Sequence, residues 1–70
     1  MRYLVIIEKA ESNYGAYSPD LPGCVATGET LLEVEENMRD AIELHLEGMR
    51  LHGESIPEPS SQSVYVEVAA

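Results

Sequence analysis

Between Ser18 and Thr30 the chain reads Ser-Pro-Asp-Leu-Pro-Gly-Cys-Val-Ala-Thr-Gly-Glu-Thr, and this run limits the fold more than any other. Two prolines, two glycines and a threonine able to cap a helix force the backbone to turn, extend briefly and enter a helix in quick succession. Pro22-Gly23 suits the centre of a type II turn, because proline presets the first φ and glycine accepts the positive second one. Cys24-Val25-Ala26-Thr27 then reads as a short strand, ended by Gly28-Glu29. Thr30-Leu31-Leu32-Glu33 has capping-box spacing, in which the Thr30 hydroxyl accepts a backbone N–H and the Glu33 carboxylate bonds back. A helix is therefore predicted from Leu31.

Everything before this run reads as strand. Tyr3-Leu4-Val5-Ile6-Ile7 is apolar at every position and rich in β-branched residues, the pattern of a strand buried on both faces at the centre of a sheet. After the polar break Ala10-Glu11-Ser12-Asn13, Tyr14-Gly15-Ala16-Tyr17 alternates large and small residues and is its antiparallel hairpin partner.

Everything from Leu31 to Gly53 is free of proline and rich in strong helix formers, with Gly53 as the left-handed C-terminal cap and Arg50 and His52 in the last turn. Such a helix is roughly 30 Å long. Laid out at about 100° per residue, Leu31, Val34, Met38, Ala41, Ile42, His45 and Met49 form a stripe that covers a sheet. Glu36, Asp40, Glu43 and Glu47 form an acidic solvent face opposite it. Leu44 and Leu51, a heptad apart, lie beyond the edge of the core stripe.

Ile56-Pro57-Glu58-Pro59-Ser60-Ser61-Gln62 reads as an extended connector, since each proline drives its predecessor out of the helical region. Val64-Tyr65-Val66-Glu67-Val68 alternates at period two and is predicted as a fourth strand. A right-handed crossover returns it parallel beside the first strand. The expected fold is thus a single α+β domain over residues 1–70, in β-β-β-α-β order. Its four-stranded mixed sheet has order 3-2-1-4, with one long helix on one face.

One helix covers one face, yet the first strand is apolar on both, with Leu4 and Ile6 on one side and Tyr3, Val5 and Ile7 on the other. A 70-residue chain also buries too little surface to be more than marginally stable alone. Both points predict a homo-oligomer, most simply a dimer, with Tyr3, Val5, Ile7, Leu44 and Leu51 as contact residues.

Composition narrows the chemistry. Four basic against thirteen acidic residues give a net charge of −9, which repels nucleic acid phosphates and attracts basic proteins. The single cysteine rules out an internal disulfide, and there is no C-x-x-C pair for zinc. Cys24 reads as a small buried hydrophobe rather than a nucleophile. His45 and His52 lack a third ligand, so neither a metal nor a cofactor is expected. No run approaches the roughly 20 apolar residues of a membrane span, and Glu8-Lys9 cut short the apolar start that could be mistaken for a signal peptide. A soluble cytoplasmic protein is the simplest reading. The strand order resembles the first part of a ribonuclease-H-like fold and raises a residual metal-dependent hydrolase as an alternative, with Glu8, Glu29 and Glu67 as its only strand-end carboxylates.

Read in succession, Tyr3-Leu4-Val5-Ile6-Ile7-Glu8, Pro19-Asp20-Leu21-Pro22-Gly23-Cys24, Thr27-Gly28-Glu29-Thr30, Glu35-Glu36-Asn37 and Gly53-Glu54-Ser55-Ile56-Pro57-Glu58-Pro59 resemble the HicB-like antitoxin family over nearly the whole chain. The resemblance implies a truncated ribonuclease-H-like domain that is not an enzyme. It also implies a type II toxin–antitoxin role, in which the protein masks a small basic HicA-like toxin that cleaves messenger RNA. Glu36, Asp40, Glu43 and Glu47 are the electrostatic candidates for that contact. Pro22, Gly23, Thr30 and Gly53 are expected to set the geometry, with Asp20 and Cys24 structural. Longer members carry a ribbon-helix-helix or helix-turn-helix segment beyond the point where this chain stops, which leaves operator binding and autoregulation open, while the net charge of −9 predicts no direct nucleic acid binding. A stand-alone oligomeric binding module with another partner is the second reading.

Overall fold

A computed structural model describes residues 1–70. Strand β1 spans Ile6–Lys9, β2 Tyr14–Tyr17 and β3 Val25–Gly28, and helix α1 spans Leu31–Leu51. The strands form one antiparallel sheet in the order β1-β2-β3. The Ala10 N–H donates to the Asn13 carbonyl at 2.8 Å, closing the first hairpin, and sets Ile6 opposite Tyr17 and Ile7 opposite Ala16. Tyr17 in turn faces Val25, and Ala16 faces Ala26. Because side chains alternate along a strand, Ile7, Ala16 and Ala26 share the helix side while Ile6, Tyr17 and Val25 share the other.

The link from β2 to β3 folds as two successive turns. The Leu21 N–H donates to the Ser18 carbonyl at 3.1 Å and the Cys24 N–H to the Leu21 carbonyl at 3.0 Å. Gly23 has φ 83°, the positive value a type II turn requires at its third position. These turns tuck Leu21 under the helix, where it is wholly buried with Ala16, Cys24, Val34 and Met38.

Helix α1 crosses β3 and β2 and starts as predicted. The Thr30 hydroxyl accepts from the Glu33 N–H at 3.0 Å, while the Glu33 carboxylate accepts from the Glu29 N–H at 3.1 Å. Its end is a full Schellman motif, with Gly53 at φ 68°, the Gly53 N–H donating to Arg50 and the Glu54 N–H to Met49. The tightest approach in the fold lies where strand meets helix: a Cβ on Gly28 would stand 2.6 Å from the Val34 backbone nitrogen.

Two expectations are corrected. The first strand begins at Ile6 rather than Tyr3, because β2 ends at Tyr17 before Ser18-Pro19 and leaves Tyr3, Leu4 and Val5 without a ladder partner. The fourth strand is not formed, so the sheet is three-stranded and antiparallel, and β1 is an edge strand. Asp20 explains the route taken instead. Its carboxylate accepts from both the N–H and the hydroxyl of Ser60 and of Ser61, at 2.8 to 3.1 Å. The Tyr3 hydroxyl also donates to the Pro57 carbonyl. The connector is thereby fastened over the β2–β3 turns. Val64, Tyr65, Val66 and Val68 continue into solvent, each at least 73% exposed. That projecting segment helps stretch the molecule to 48 Å, against 26 and 17 Å in its other dimensions.

A candidate partner-binding surface

The acidic face of α1 is built by the same periodicity that builds the core. Val34 and Met38 are buried and Ala41, Ile42 and Leu46 half-buried against the sheet, which turns Glu36, Asp40, Glu43 and Glu47 outward. The four carboxylates, spaced four, three and four residues apart, form one exposed row along the helix. Glu33 is not part of it, being engaged at the cap. Leu44 and Leu51, 71% and 79% exposed, border this row beside Asp40. The result is a carboxylate ridge with an apolar margin, a surface suited to a basic partner with some apolar contact area.

A second surface opens on the β1 side. Tyr3, Val5 and Ile7 were expected on the uncovered face of the sheet, but they lie on the helix side and are half-buried. The helix sits over β3 and β2, so it covers the inner side of β1 only in part. What remains is a groove in which these three residues face Met38, Ile42 and Leu46, with Arg2, Glu35, Arg39 and Glu43 along its rim. The uncovered face carries Leu4, Ile6, Tyr17 and Val25 instead, with Val25 64% exposed.

Pro22, Gly23, Thr30 and Gly53 occupy the turn and cap positions expected of them. Three residues carry contacts that the sequence did not specify, Asp20 among them although it was expected to be structural. Asp20 is the latch for the connector, and the N–H groups and hydroxyls of Ser61 and Ser60 hold its carboxyl below the usual carboxylate range. Asn37, exposed on the helix, donates from its side-chain amide to the Thr27 carbonyl at 2.8 Å and ties the outer edge of β3 to the helix. Gly28 gives the close helix–strand approach described above. Of these only Asn37 left a local signal, as a short polar amide inside a helical run.

Cys24 is buried, and desolvation pushes its thiol pKa up, away from the reactive thiolate. His52 turns back on its own helix, with Nδ1 2.7 Å from the Gly48 carbonyl oxygen, and His45 lines a shallow crevice with Leu21, Pro22 and Met49. No three His, Cys, Asp or Glu residues stand close enough to hold a metal ion, and Glu8, Glu29 and Glu67 are not brought together. No helix is long and apolar enough to cross a membrane.

Comparison with known proteins bears on the same residues. The profile described as "HicB_like antitoxin of bacterial toxin-antitoxin system" matches residues 3–69. A UPF0150 protein of Thermoplasma acidophilum is 37% identical over 67 residues, covering 94% of this chain and 97% of that protein. An uncharacterized 14.9 kDa protein from the rep-hol intergenic region of Haemophilus phage HP1 is 38% identical over 66 residues, covering 94% of this chain. The chain spans only 50% of the phage protein's length. Among solved structures, a chain of a HicA3 and HicB3 toxin-antitoxin complex superposes with a TM-score of 0.74 at 28% identity, over 86% of this chain and 70% of that one. With a profile match across nearly all of its length, the chain belongs to the HicB-like antitoxin family of bacterial toxin–antitoxin systems.

Proposed function

We propose that this protein neutralises a small basic HicA-like toxin in the cytoplasm by occlusion, covering the surface and active histidine with which the toxin cleaves messenger RNA. The observation that carries this reading is the row Glu36, Asp40, Glu43 and Glu47, all exposed on a chain of net charge −9 within an antitoxin family. An RNA-cleaving protein must present cations to phosphates, and a rigid helix of carboxylates competes for those cations. Leu44 and Leu51 supply the apolar contact that charge alone lacks. Neutralisation by covering needs no chemistry, so the protein acts as a binding module and not as an enzyme. Oligomerisation belongs to the same reading, through the apolar surfaces around β1 that include Tyr3, Val5 and Ile7.

The test is affinity for such a toxin as a function of salt and of helix charge. Reversing Glu36 and Glu43 to lysine turns two attractions into two repulsions, a loss of about 1 to 3 kcal/mol, or roughly 5- to 150-fold in Kd. The same affinity falls steeply as salt rises. An affinity indifferent to both would remove the electrostatic basis of the proposal.

A further inference from the structure

The segment beyond the latch and the groove beside β1 complement each other. Residues Val64–Val68 have the alternation and β-branched content of a strand, yet their apolar side chains are 73 to 101% exposed. Strand β1 has β2 on one edge and no strand on the other, so a row of backbone donors and acceptors stands open there. A strand laid along that edge would place Val64, Val66 and Val68 on one face and Tyr65 and Glu67 on the other. The valines would then enter the groove among Val5, Ile7, Met38, Ile42 and Leu46, which the helix leaves partly uncovered. Tyr65 would extend the opposite apolar face beside Leu4, Ile6 and Tyr17.

The latch decides whose β1 is reached. Asp20 holds Ser60 and Ser61 at the turns between β2 and β3, and the free edge of β1 lies beyond β2 and β1, roughly 10 Å across the sheet at ordinary strand spacing. Beyond that anchor the arm lies in solvent and pairs with no strand of its own sheet. We infer that the C-terminal arm of one protomer completes the sheet of a second copy, entering as a strand at the free edge of the second copy's β1, and that the exchange is reciprocal. Exchange of an identical element is a low-cost route to a symmetric dimer, because each open edge is satisfied by a segment the other copy already presents. The inference rests on the oligomerisation proposed above and holds whether or not a toxin is bound.

The full chain carrying Val64→Asp and Val66→Asp tests it. Both positions are in solvent in the single protomer, so the monomer fold is untouched and its circular dichroism is the control. Sedimentation is expected to show a dimer for the parent chain and a dissociation constant raised about 100-fold or more for the variant, since two carboxylates would be buried without partners. The source of the arm is read from disulfides on mixing one chain carrying Tyr65→Cys with another carrying Leu4→Cys or Ile6→Cys, the native Cys24 being buried. A link between different chains supports exchange. A parent chain that stays monomeric at about 100 μM, well above the range where stable dimers form, would overturn it. So would a variant that dimerises like the parent, an arm that links only within a chain carrying both cysteines, or an arm required solely for toxin capture.

Discussion

Gly28 offers the most quantitative check on how helix and sheet are joined. A methyl group there would lie 2.6 Å from the Val34 nitrogen, 2.8 Å from the Val34 Cα and 3.0 Å from the Glu33 carbonyl carbon, all backbone atoms that cannot rotate aside. The first turn of α1 must therefore lift off β3, disturbing the buried Val34 and the Thr30 cap with it. Overpacking of this kind costs about 1 to 3 kcal/mol. For a domain of this size a loss near 2 kcal/mol lowers Tm by roughly 10 °C. Gly48 is the matched control, since its added Cβ meets nothing within 4 Å. In the interior of α1, Gly48→Ala should instead stabilise by about 0.8 to 1 kcal/mol and raise Tm by roughly 4 to 8 °C. Thermal unfolding followed by circular dichroism at fixed protein concentration reads both. A Gly28→Ala variant that melts within about 2 °C of the parent, or a Gly48→Ala variant that is the less stable of the two, would refute the close-approach reasoning.

Further expectations concern Asp20 and Cys24. Asp20→Asn should free the connector, seen as faster hydrogen exchange at the Ser60 and Ser61 amides with the exchange of the sheet unchanged. Because those hydrogen bonds hold the Asp20 pKa down in the folded state, their stabilisation is present above the ordinary carboxylate pKa and is lost as pH falls through the depressed value. Acid strong enough to pass below that depressed value, and so below the ordinary carboxylate range near about pH 4, should thus reproduce the variant's exchange pattern in the parent, with no such change near neutrality. Cys24, buried and with its thiol pKa raised, should react with a thiol reagent at pH 8 at least about 100-fold more slowly in the folded chain than in denaturant.

What proved legible in the sequence was local. Pro22-Gly23, the Thr30 and Glu33 pair and the Gly53 cap each depend on hydrogen bonds a few residues apart, and each is where the pattern put it. The outward direction of Glu36, Asp40, Glu43 and Glu47 followed from helical periodicity for the same reason. Alternation in the first strand revealed two apolar faces but could not say which one meets the helix, and so Tyr3, Val5 and Ile7 were assigned to the wrong side. Its start was misjudged because pairing ends where β2 ends, a fact of the partner strand. The fourth strand failed on a long-range feature of the chain. Val64–Val68 has strand propensity, but its placement is governed by Asp20, some 40 residues earlier, binding Ser60 and Ser61. Propensity marked the strand but not its partner, and in the single chain both the edge of β1 and the arm stay unpaired.

The proposal that this chain silences its partner by covering it is tested most directly by cleavage of messenger RNA by a purified HicA-like toxin, measured as the chain is titrated in. Loss of cleavage on reaching equimolar chain, regained when Glu36 and Glu43 are reversed to lysine, is the expected result. Undiminished cleavage with the chain in large excess would contradict it.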